Sequence, residues 1–320
     1  MPRTTPASID ELQLLLTEQL YVADEGLATS IYLALKLQRP LLLEGEAGVG
    51  KTEVAKVLAG GLGSELIRLQ CYEGLDVTHA VYEWNYARQL IGIRLAEASD
   101  GAKAGTEKGR ETLRARDLFG PDFLIERPLL QALRGGRECP PVLLIDELDR
   151  ADEEFEGYLL ELLSDFQITI PELGAIRAEA PPVVVITSNR TRELHDALKR
   201  RCVYAWIDYP SFEKELRIIT TKLPDAPSTL AEQATRFIQE LREADLYKVT
   251  GVSETLDWVA ALVALDRQEL DAETIDRTLG MVLKTQEDMQ SIRGERIQQM
   301  LNRAKAPGAR AGTPDAPARG

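Results

Sequence analysis

Short runs of consecutive apolar residues recur over the first two thirds of the chain, and segments with helical spacing separate them. We interpret five of these runs as strands, which begin near Leu41, Leu66, Val142, Val183 and Val203. A strand that is apolar at successive positions is buried on both faces, as in a parallel sheet covered by helices on both sides. The pattern therefore predicts an α/β fold, a three-layer αβα domain with a parallel five-stranded sheet, over residues 1–209.

Segments with apolar residues at helical spacing alternate with these strands as far as Pro210. Beyond Pro210 the pattern predicts helices only. We therefore expect a small all-α domain over residues 210–303. The final residues, 304–320, are rich in Pro, Gly, Ala and Arg and are predicted to be disordered. The predicted helices of the all-α domain, each with its candidate N-cap, are 211–223 (Ser211), 229–244 (Thr229), 253–265 (Ser253) and 271–301 (Asp271).

Two segments interrupt the alternation of strands and helices. Residues 71–125 form a stretch too long for a structureless loop in a compact domain, so we expect an inserted substructure there. Within it the pattern predicts a helix over 87–98 and a Gly- and Lys-rich break over 100–110. The second segment, about 166–180, alternates apolar and polar residues on either side of a Pro-Glu-Leu-Gly turn, which predicts a β-hairpin.

The charge balance bears on the partners of the protein. Lys and Arg number 38 against 52 Asp and Glu, a net charge of −14. An acidic chain disfavours non-specific binding of nucleic acid, which depends on cations that neutralise phosphates. The longest apolar stretch, 27–43, is interrupted by Lys36 and Arg39, so we expect no membrane span and a cytoplasmic location.

Residues 45–52 follow the first predicted strand, precede a predicted helix, and read Gly-Glu-Ala-Gly-Val-Gly-Lys-Thr. This spacing matches the phosphate-binding loop, in which glycines let backbone N–H groups face phosphate oxygens at a helix N-terminus. Lys51 would reach the outer phosphates of ATP, and the Thr52 hydroxyl would bind Mg²⁺. A chance match in a Gly-rich turn is the competing interpretation. The residues expected to contact phosphate are Gly45, Glu46, Ala47, Gly48, Val49, Gly50, Lys51 and Thr52.

Polar residues follow two other apolar strands. Asp146 and Glu147 end the strand that begins at Val142, and Asn189 follows the strand that begins at Val183. Ligands of open parallel sheets bind at the carboxyl ends of the strands. We therefore expect Asp146 to support Mg²⁺, Glu147 to activate water and Asn189 to orient it. The alternatives are helix-capping acids and a turn-forming Asn, and capping is the preferred interpretation for the later acids Asp149, Asp152, Glu153 and Glu154.

A predicted helix over 191–201 ends in Lys-Arg-Arg-Cys. Cations at a helix C-terminus often only complement its dipole. The alternative is an arginine finger that reaches the γ-phosphate of a neighbouring subunit, supplied by Arg200 or Arg201.

Together these residues resemble the AAA+ ATPases: 45–52 matches Walker A, 142–147 matches Walker B, and Asn189 lies where the family has sensor 1. Arg201 in the Arg-Arg-Cys run resembles the Ser-Arg-Cys finger motif of clamp loaders and is favoured over Arg200. The all-helical segment resembles the family's lid. The resemblance implies that adenine lies near Tyr21, Val22 and Ala23.

The two inserts, with the run Leu-Leu-Glu-Leu-Leu-Ser-Asp-Phe at 159–166, resemble the MoxR family. Segments 69–76, 82–86 and 187–194 are similar to its branch found with aerobic carbon monoxide dehydrogenase. The resemblance implies an ATP-driven homo-oligomeric ring, a hexamer, that acts as a chaperone in metalloenzyme maturation. It also implies a von Willebrand A domain partner protein and a molybdenum-containing client.

One segment departs from the family pattern. Many relatives place an arginine, sensor 2, where this chain reads Gly-Val-Ser-Glu-Thr over 251–255, so Arg277 and Lys284 are candidate substitutes. A nucleotide-dependent scaffold with little turnover and a DNA-linked motor remain alternatives. A GTPase would need an Asn-Lys-x-Asp signature, and the sequence contains none.

Overall fold

The computed structural model of the protein describes residues 5–102, 118–136 and 138–306. Its residues group into two compact units. The first, which we call the α/β unit, spans Met1–Gly45 and Lys51–Ile207. The second, the helical unit, combines Glu46–Gly50 with Asp208–Gly320. None of the helices in the described ranges is long and apolar enough to cross a membrane.

The main sheet of the α/β unit has five parallel strands in the order β2-β5-β8-β1-β9. This confirms the predicted fold class, and each strand begins at the predicted residue. The apolar runs are buried throughout β1 and β5, which explains why they carry no polar alternation. The strands of the unit are β1 (Leu41–Gly45), β2 (Leu66–Gln70), β3 (Tyr82–Trp84), β4 (Leu124–Glu126), β5 (Val142–Asp146), β6 (Gln167–Ile170), β7 (Gly174–Arg177), β8 (Val183–Ser188) and β9 (Val203–Ile207).

The strand order places the polar strand ends beside one another. β8 pairs with β1 on one side, Glu44 opposite Ser188, and with β5 on the other, Ile145 opposite Ile186. The residues that follow β1, β5 and β8 therefore emerge at one edge of the sheet, as expected for neighbouring parallel strands.

Eight helices are described in the α/β unit. Ser8 caps the first, accepting from the Glu11 N–H. The prediction of a helix over 191–201 is wrong about where the helix starts, because only Asp196–Lys199 is helical. The helices are α1 (Ile9–Glu18), α2 (Glu25–Leu37), α3 (Lys51–Leu62), α4 (Val77–Ala80), α5 (Tyr86–Ala102), α6 (Pro128–Leu133), α7 (Glu153–Asp165) and α8 (Asp196–Lys199).

Two short antiparallel pairs accompany the main sheet. β3 pairs with β4, and β6 pairs with β7 across a tight turn. The first pair lies in the segment 71–125, apart from Glu126 at the end of β4, and the second lies within 166–180. The Gly- and Lys-rich break predicted over 100–110 lies largely outside the described residues.

The helical unit contains six helices in its described part. Ser211 and Asp271 are N-caps, as predicted. Pro227 and Gly251 take the cap positions predicted for Thr229 and Ser253. The helices are α9 (Phe212–Lys222), α10 (Ser228–Arg242), α11 (Val252–Ala264), α12 (Ala272–Thr278), α13 (Gln286–Ile292) and α14 (Glu295–Lys305).

The single long helix predicted over 271–301 is wrong. It is divided into three, because Thr285 starts a new helix by accepting from the Asp288 N–H, and Gly294 has a φ of 74° before α14. The last helix ends at Lys305. Of the tail predicted over 304–320, residues 307–320 lie outside the described ranges.

Candidate nucleotide-binding site

The phosphate-binding loop connects β1 to α3. Gly45 begins it with a φ of 155°, and a Cβ at this position would lie 2.0 Å from the Ile207 carbonyl oxygen, so only glycine fits. Lys51, at the start of α3, is buried, and its Nζ donates to the Gly45 carbonyl at 2.7 Å. The loop lysine therefore curls back over the first loop residue.

The last residue of β5 connects the loop to the rest of the site. The Thr52 hydroxyl donates to Asp146 Oδ1 at 3.0 Å, and Asp146 is 2% exposed. Asp146 Oδ1 also accepts from the Thr187 hydroxyl at 2.6 Å, while Oδ2 accepts from Arg68 Nε at 3.0 Å. A hydroxyl and a carboxylate in contact are the oxygen ligands that Mg²⁺ prefers, so Thr52 and Asp146 Oδ1 fit that ion. Arg68 takes the second carboxylate oxygen.

Glu147 follows Asp146 with left-handed backbone, at a φ of 55°. Its Oε2 accepts from Gln70 Nε2 at 3.2 Å and from Arg150 at 3.1 Å. The Glu147 backbone N–H donates to Thr187 Oγ1 at 2.9 Å. The side chain is half-buried at the strand ends. A carboxylate held there can accept a proton from a water molecule.

Asn189 directly follows β8 and is half-buried. Its backbone N–H donates to Asp149 Oδ1 at 3.2 Å. The side-chain amide makes no hydrogen bond within the described residues, so it is available to a ligand. Asp146, Thr52 and Glu147 are thus brought together through Thr187, and Asn189 is connected to the same group through Asp149.

Asp149 corrects one sequence interpretation. We expected a solvated acid near the first turn of the next helix, but Asp149 is 2% exposed. Its Oδ2 accepts from the Thr191 N–H at 2.9 Å and from the Thr191 hydroxyl at 2.7 Å. Glu156, also buried, accepts from the His195 N–H at 2.8 Å. Glu156 takes the N–H that a helix over 191–201 would donate to the Thr191 carbonyl, so the start of that segment does not become helical.

The two finger candidates differ in their surroundings. Arg201 is half-buried, with Nε donating to Ser164 Oγ at 2.6 Å and Nη1 to the Ala197 carbonyl at 2.8 Å. Arg200 is exposed, and Arg39 donates to its carbonyl oxygen. The Arg200 guanidinium therefore points to solvent, whereas the Arg201 guanidinium is engaged within its own subunit.

The candidate adenine contacts lie between α1 and α2. Tyr21, Val22 and Ala23 are each half-buried. Burial, followed by the charges of Asp24 and Glu53, raises the pKa of the Tyr21 phenol above its usual range. Their contact with adenine stays a prediction.

Within the helical unit, loop residue Gly48 contacts the start of α11. The Val252 N–H donates to the Gly48 carbonyl at 2.9 Å, and Cβ atoms added to Gly48 and Gly251 would crowd the same space. Glu254 Oε2 is buried and accepts no hydrogen bond within the described residues. The segment that lacks the sensor 2 arginine thus places a carboxylate against the loop.

The proposed substitutes for that arginine are engaged elsewhere in the helical unit. Arg277 pairs with Glu273 at 3.5 Å on the surface of α12. Lys284 donates to the carbonyls of Gly280 and Met281.

Sequence reasoning missed four residues of this site: Arg68, Thr187, Asp149 and Glu44. Glu44 is buried beside the loop and accepts from the Ser188 hydroxyl at 3.4 Å and the Tyr204 hydroxyl at 3.1 Å. A polar residue inside or directly after an otherwise apolar strand is the signal that three of them share, since such positions face the ligand edge of the sheet.

Comparisons with known proteins agree with this geometry. The sequence model of the family described as "AAA domain (dynein-related subfamily)" matches residues 40–202, more than half of the chain. An uncharacterised protein of Staphylococcus haemolyticus is 25% identical over 250 residues, 76% of this chain and 82% of that protein. The denitrification regulatory protein NirQ of Stutzerimonas stutzeri is 24% identical over 223 residues, 68% of each chain.

Among solved structures, a RuvB variant of Thermotoga maritima has a TM-score of 0.45 and 18% identity, over 86% of this chain and 73% of that one. A likeness at this level supports no functional argument, and the fold rests on the sheet and loop described above. The matched family covers β1, the phosphate-binding loop, β5 and β8. The chain therefore belongs to the AAA domain family, dynein-related subfamily, of P-loop ATPases.

Proposed function

We propose that this chain is a MoxR-type AAA+ ATPase that hydrolyses ATP with Mg²⁺ at the subunit interfaces of a hexameric ring. The contact between Thr52 and Asp146 is the observation that carries the proposal. It brings the phosphate-binding loop and the acidic strand end into one group of oxygen ligands. A loop that only bound phosphate would not need this second element.

Each residue has a role in the proposed reaction. The loop N–H groups and Lys51 bind the phosphates, and Thr52 and Asp146 would hold Mg²⁺. When bound, this ion neutralises charge on the phosphate oxygens. A water oxygen attacks the γ-phosphorus while its proton passes to Glu147, and the bond to the β–γ bridging oxygen breaks. Asn189 orients that water through its available amide.

The finger proposal includes both arginines. The sequence resemblance favours Arg201, whereas the exposure of Arg200 and the internal hydrogen bonds of Arg201 favour Arg200. A finger acting in trans must extend from its own subunit, which supports Arg200 as the first candidate to test.

We further propose that the ring is a cytoplasmic chaperone in metalloenzyme maturation, with a von Willebrand A domain partner. Its client would be a molybdenum-containing enzyme similar to carbon monoxide dehydrogenase. Segments 69–76, 82–86 and 187–194 support this assignment through their resemblance to that MoxR branch.

A deletion experiment tests the client. Removing the gene should leave the client's polypeptide present but deficient in metal, and restoring the wild-type gene, but not a Lys51→Ala variant, should recover the metal content. A fully metallated client in the deletion strain would overturn the maturation role while leaving the ATPase proposal intact.

One observation favours a second candidate, a nucleotide-dependent scaffold with little turnover. Glu254 lies against Gly48 where relatives carry an arginine, so the lid contributes a negative charge in place of a positive one. Turnover measured with and without the partner protein separates the two candidates. A DNA-linked motor is disfavoured by the net charge of −14.

A further inference from the structure

Two turns at the candidate site have left-handed backbone at residues other than glycine. Glu147 follows β5 and Arg190 follows β8, each with a φ of 55°. This conformation is strained for residues with a Cβ and persists only where the surroundings over-determine it, often at functional sites. Because β5 and β8 are paired neighbours, each turn lies within reach of the other strand's end.

Each turn is held by a polar side chain from the other strand end. Thr187, on β8, accepts from the Glu147 N–H at 2.9 Å. In return Asp149, just beyond β5, accepts from the Asn189 N–H at 3.2 Å and the Thr191 N–H at 2.9 Å. We call these three contacts the reciprocal clasp.

The Asp149 half of the clasp uses both carboxylate oxygens. Oδ1 binds the backbone just before Arg190, and Oδ2 binds the backbone and hydroxyl of Thr191 just after it. The carboxylate thus spans the strained residue from both sides. It makes no hydrogen bond to the side-chain amide of Asn189 in the described structure, so any influence of Asp149 on that side chain passes through the backbone.

We propose that Asp149 is a positioning residue that fixes the side-chain amide of Asn189 relative to the Glu147 carboxylate. This inference rests on the proposed roles of Asn189 and Glu147 in orienting and activating water. Two groups that act on one water molecule must keep a fixed separation, and a displacement of about 1 Å lowers the rate about 100-fold. A carboxylate suits the position because both of its oxygens accept, whereas an amide presents a donor on one side.

A purely structural role for a buried acid predicts a different outcome. If Asp149 only stabilised the fold, its loss would reduce thermal stability and nucleotide binding with no specific effect on the chemical step. If it positions Asn189, the loss should appear in kcat while nucleotide affinity is retained.

The first experiment compares Asp149→Asn with Asp152→Asn in the full-length protein. Asp152 is a matched control, since it is an exposed acid three residues away whose side chain makes no capping hydrogen bond. We expect Asp149→Asn to lower kcat about 10-fold to 100-fold while the Kd for a fluorescent ATP analogue changes less than about twofold. Asp152→Asn should keep wild-type values. A wild-type kcat for Asp149→Asn would overturn the inference.

A double variant tests the route of the effect. If Asp149 acts through Asn189, Asp149→Asn combined with Asn189→Ala should be no slower than Asn189→Ala alone. Losses that multiply would show separate roles and overturn the inference. If Asn189→Ala turns over at the wild-type rate, the proposed function of Asn189 fails instead, and the inference falls with it.

A milder variant covers the case in which Asp149→Asn does not fold. Thr191→Val removes the hydroxyl donor to Oδ2 at 2.7 Å and keeps the side-chain shape and the Asp149 charge. It should lower kcat in the same direction by a smaller factor, and Thr191→Ser, which keeps the hydroxyl, should restore it. Equal rates for the valine and serine variants would contradict the clasp.

Discussion

Glu254 Oε2 lies 3.0 Å from the position that a Cβ on Gly48 would occupy, so the carboxylate closes against the phosphate-binding loop. The oxygen is buried and accepts no hydrogen bond in the described residues. A buried charge without a partner is costly, and its field is screened less than it would be in water. A negative charge at this position of the helical unit opposes the binding of an anion at the loop.

Replacing Glu254 with Gln should tighten nucleotide binding. The substitution keeps the shape and removes the charge, and we expect ATP affinity to rise by up to about tenfold, or ~1.4 kcal/mol. ADP should gain less, because it carries less negative charge. Titration of a fluorescent analogue of each nucleotide measures both changes.

Asp257→Asn is the matched control for this effect. Asp257 is an exposed acid on the same helix, and its neutralisation should leave both affinities within about twofold of wild type, because solvent screens exposed charges. Weaker ATP binding by Glu254→Gln would instead mean that the carboxylate helps to hold the nucleotide.

Glu147→Gln should trap bound ATP. The amide cannot accept the proton of the attacking water, so hydrolysis should fall by about 100-fold or more while nucleotide binding is retained. Single-turnover assays with radiolabelled ATP measure both quantities on the same sample. Hydrolysis at the wild-type rate would remove Glu147 from the proposed mechanism.

Arg200→Ala should abolish hydrolysis only in the assembled ring and leave nucleotide affinity nearly intact. Mixing it with Lys51→Ala subunits should recover activity, because each Lys51→Ala subunit supplies an intact Arg200 to a neighbour whose loop is intact. Steady-state turnover across a range of mixing ratios measures this recovery.

Arg201→Ala is the matched comparison for Arg200→Ala. Its guanidinium donates to Ser164 and Ala197, so we expect a stability loss of about 1–2 kcal/mol with turnover largely retained. If Arg201→Ala, and not Arg200→Ala, loses activity that mixing restores, the finger is Arg201, as the sequence resemblance suggests.

The parts of the structure that are fixed locally were predictable from the sequence. The strand from Leu41 is a run of apolar residues, which indicates a buried strand directly. The loop at 45–52 was recognisable from the spacing of its glycines, which adopt positive φ angles. The acids at 146 and 147 were recognisable because they end an apolar strand. These signals depend on neighbouring residues in the chain.

The remaining features depend on contacts between residues distant in sequence. Asp149 has the same local signature as the exposed Asp152, and only its contact with the backbone at 189–191, about 40 residues away, buries it. The helical spacing of 191–201 is genuine, but buried Glu156 accepts from the His195 N–H, which in a helix over 191–201 would donate to the Thr191 carbonyl. Contacts with residues distant in sequence therefore determine both the burial of Asp149 and the absence of a helix at the start of 191–201.

The core of the helical unit contains an ion pair whose disruption should destabilise it. Glu215 is fully buried and accepts from Arg242 through both oxygens, at 2.6 and 2.7 Å, and from the Thr255 hydroxyl at 2.9 Å. Arg242→Met leaves that carboxylate buried without its cation, which should cost about 3–5 kcal/mol of unfolding free energy. Urea denaturation followed by circular dichroism measures the loss.

A compensating substitution distinguishes the ion pair from simple packing. Combining Arg242→Met with Glu215→Leu removes the orphaned charge and should recover most of the stability, because an apolar pair can replace a buried ion pair. Arg303→Met, which breaks an exposed pair with Glu240 at 2.7 Å, is the matched control and should cost less than about 1 kcal/mol. Since Thr255 adjoins Glu254 on α11, Arg242→Met should also alter nucleotide affinity, whereas the exposed control should not. An Arg242→Met variant as stable as the control would show that Glu215 needs no cation.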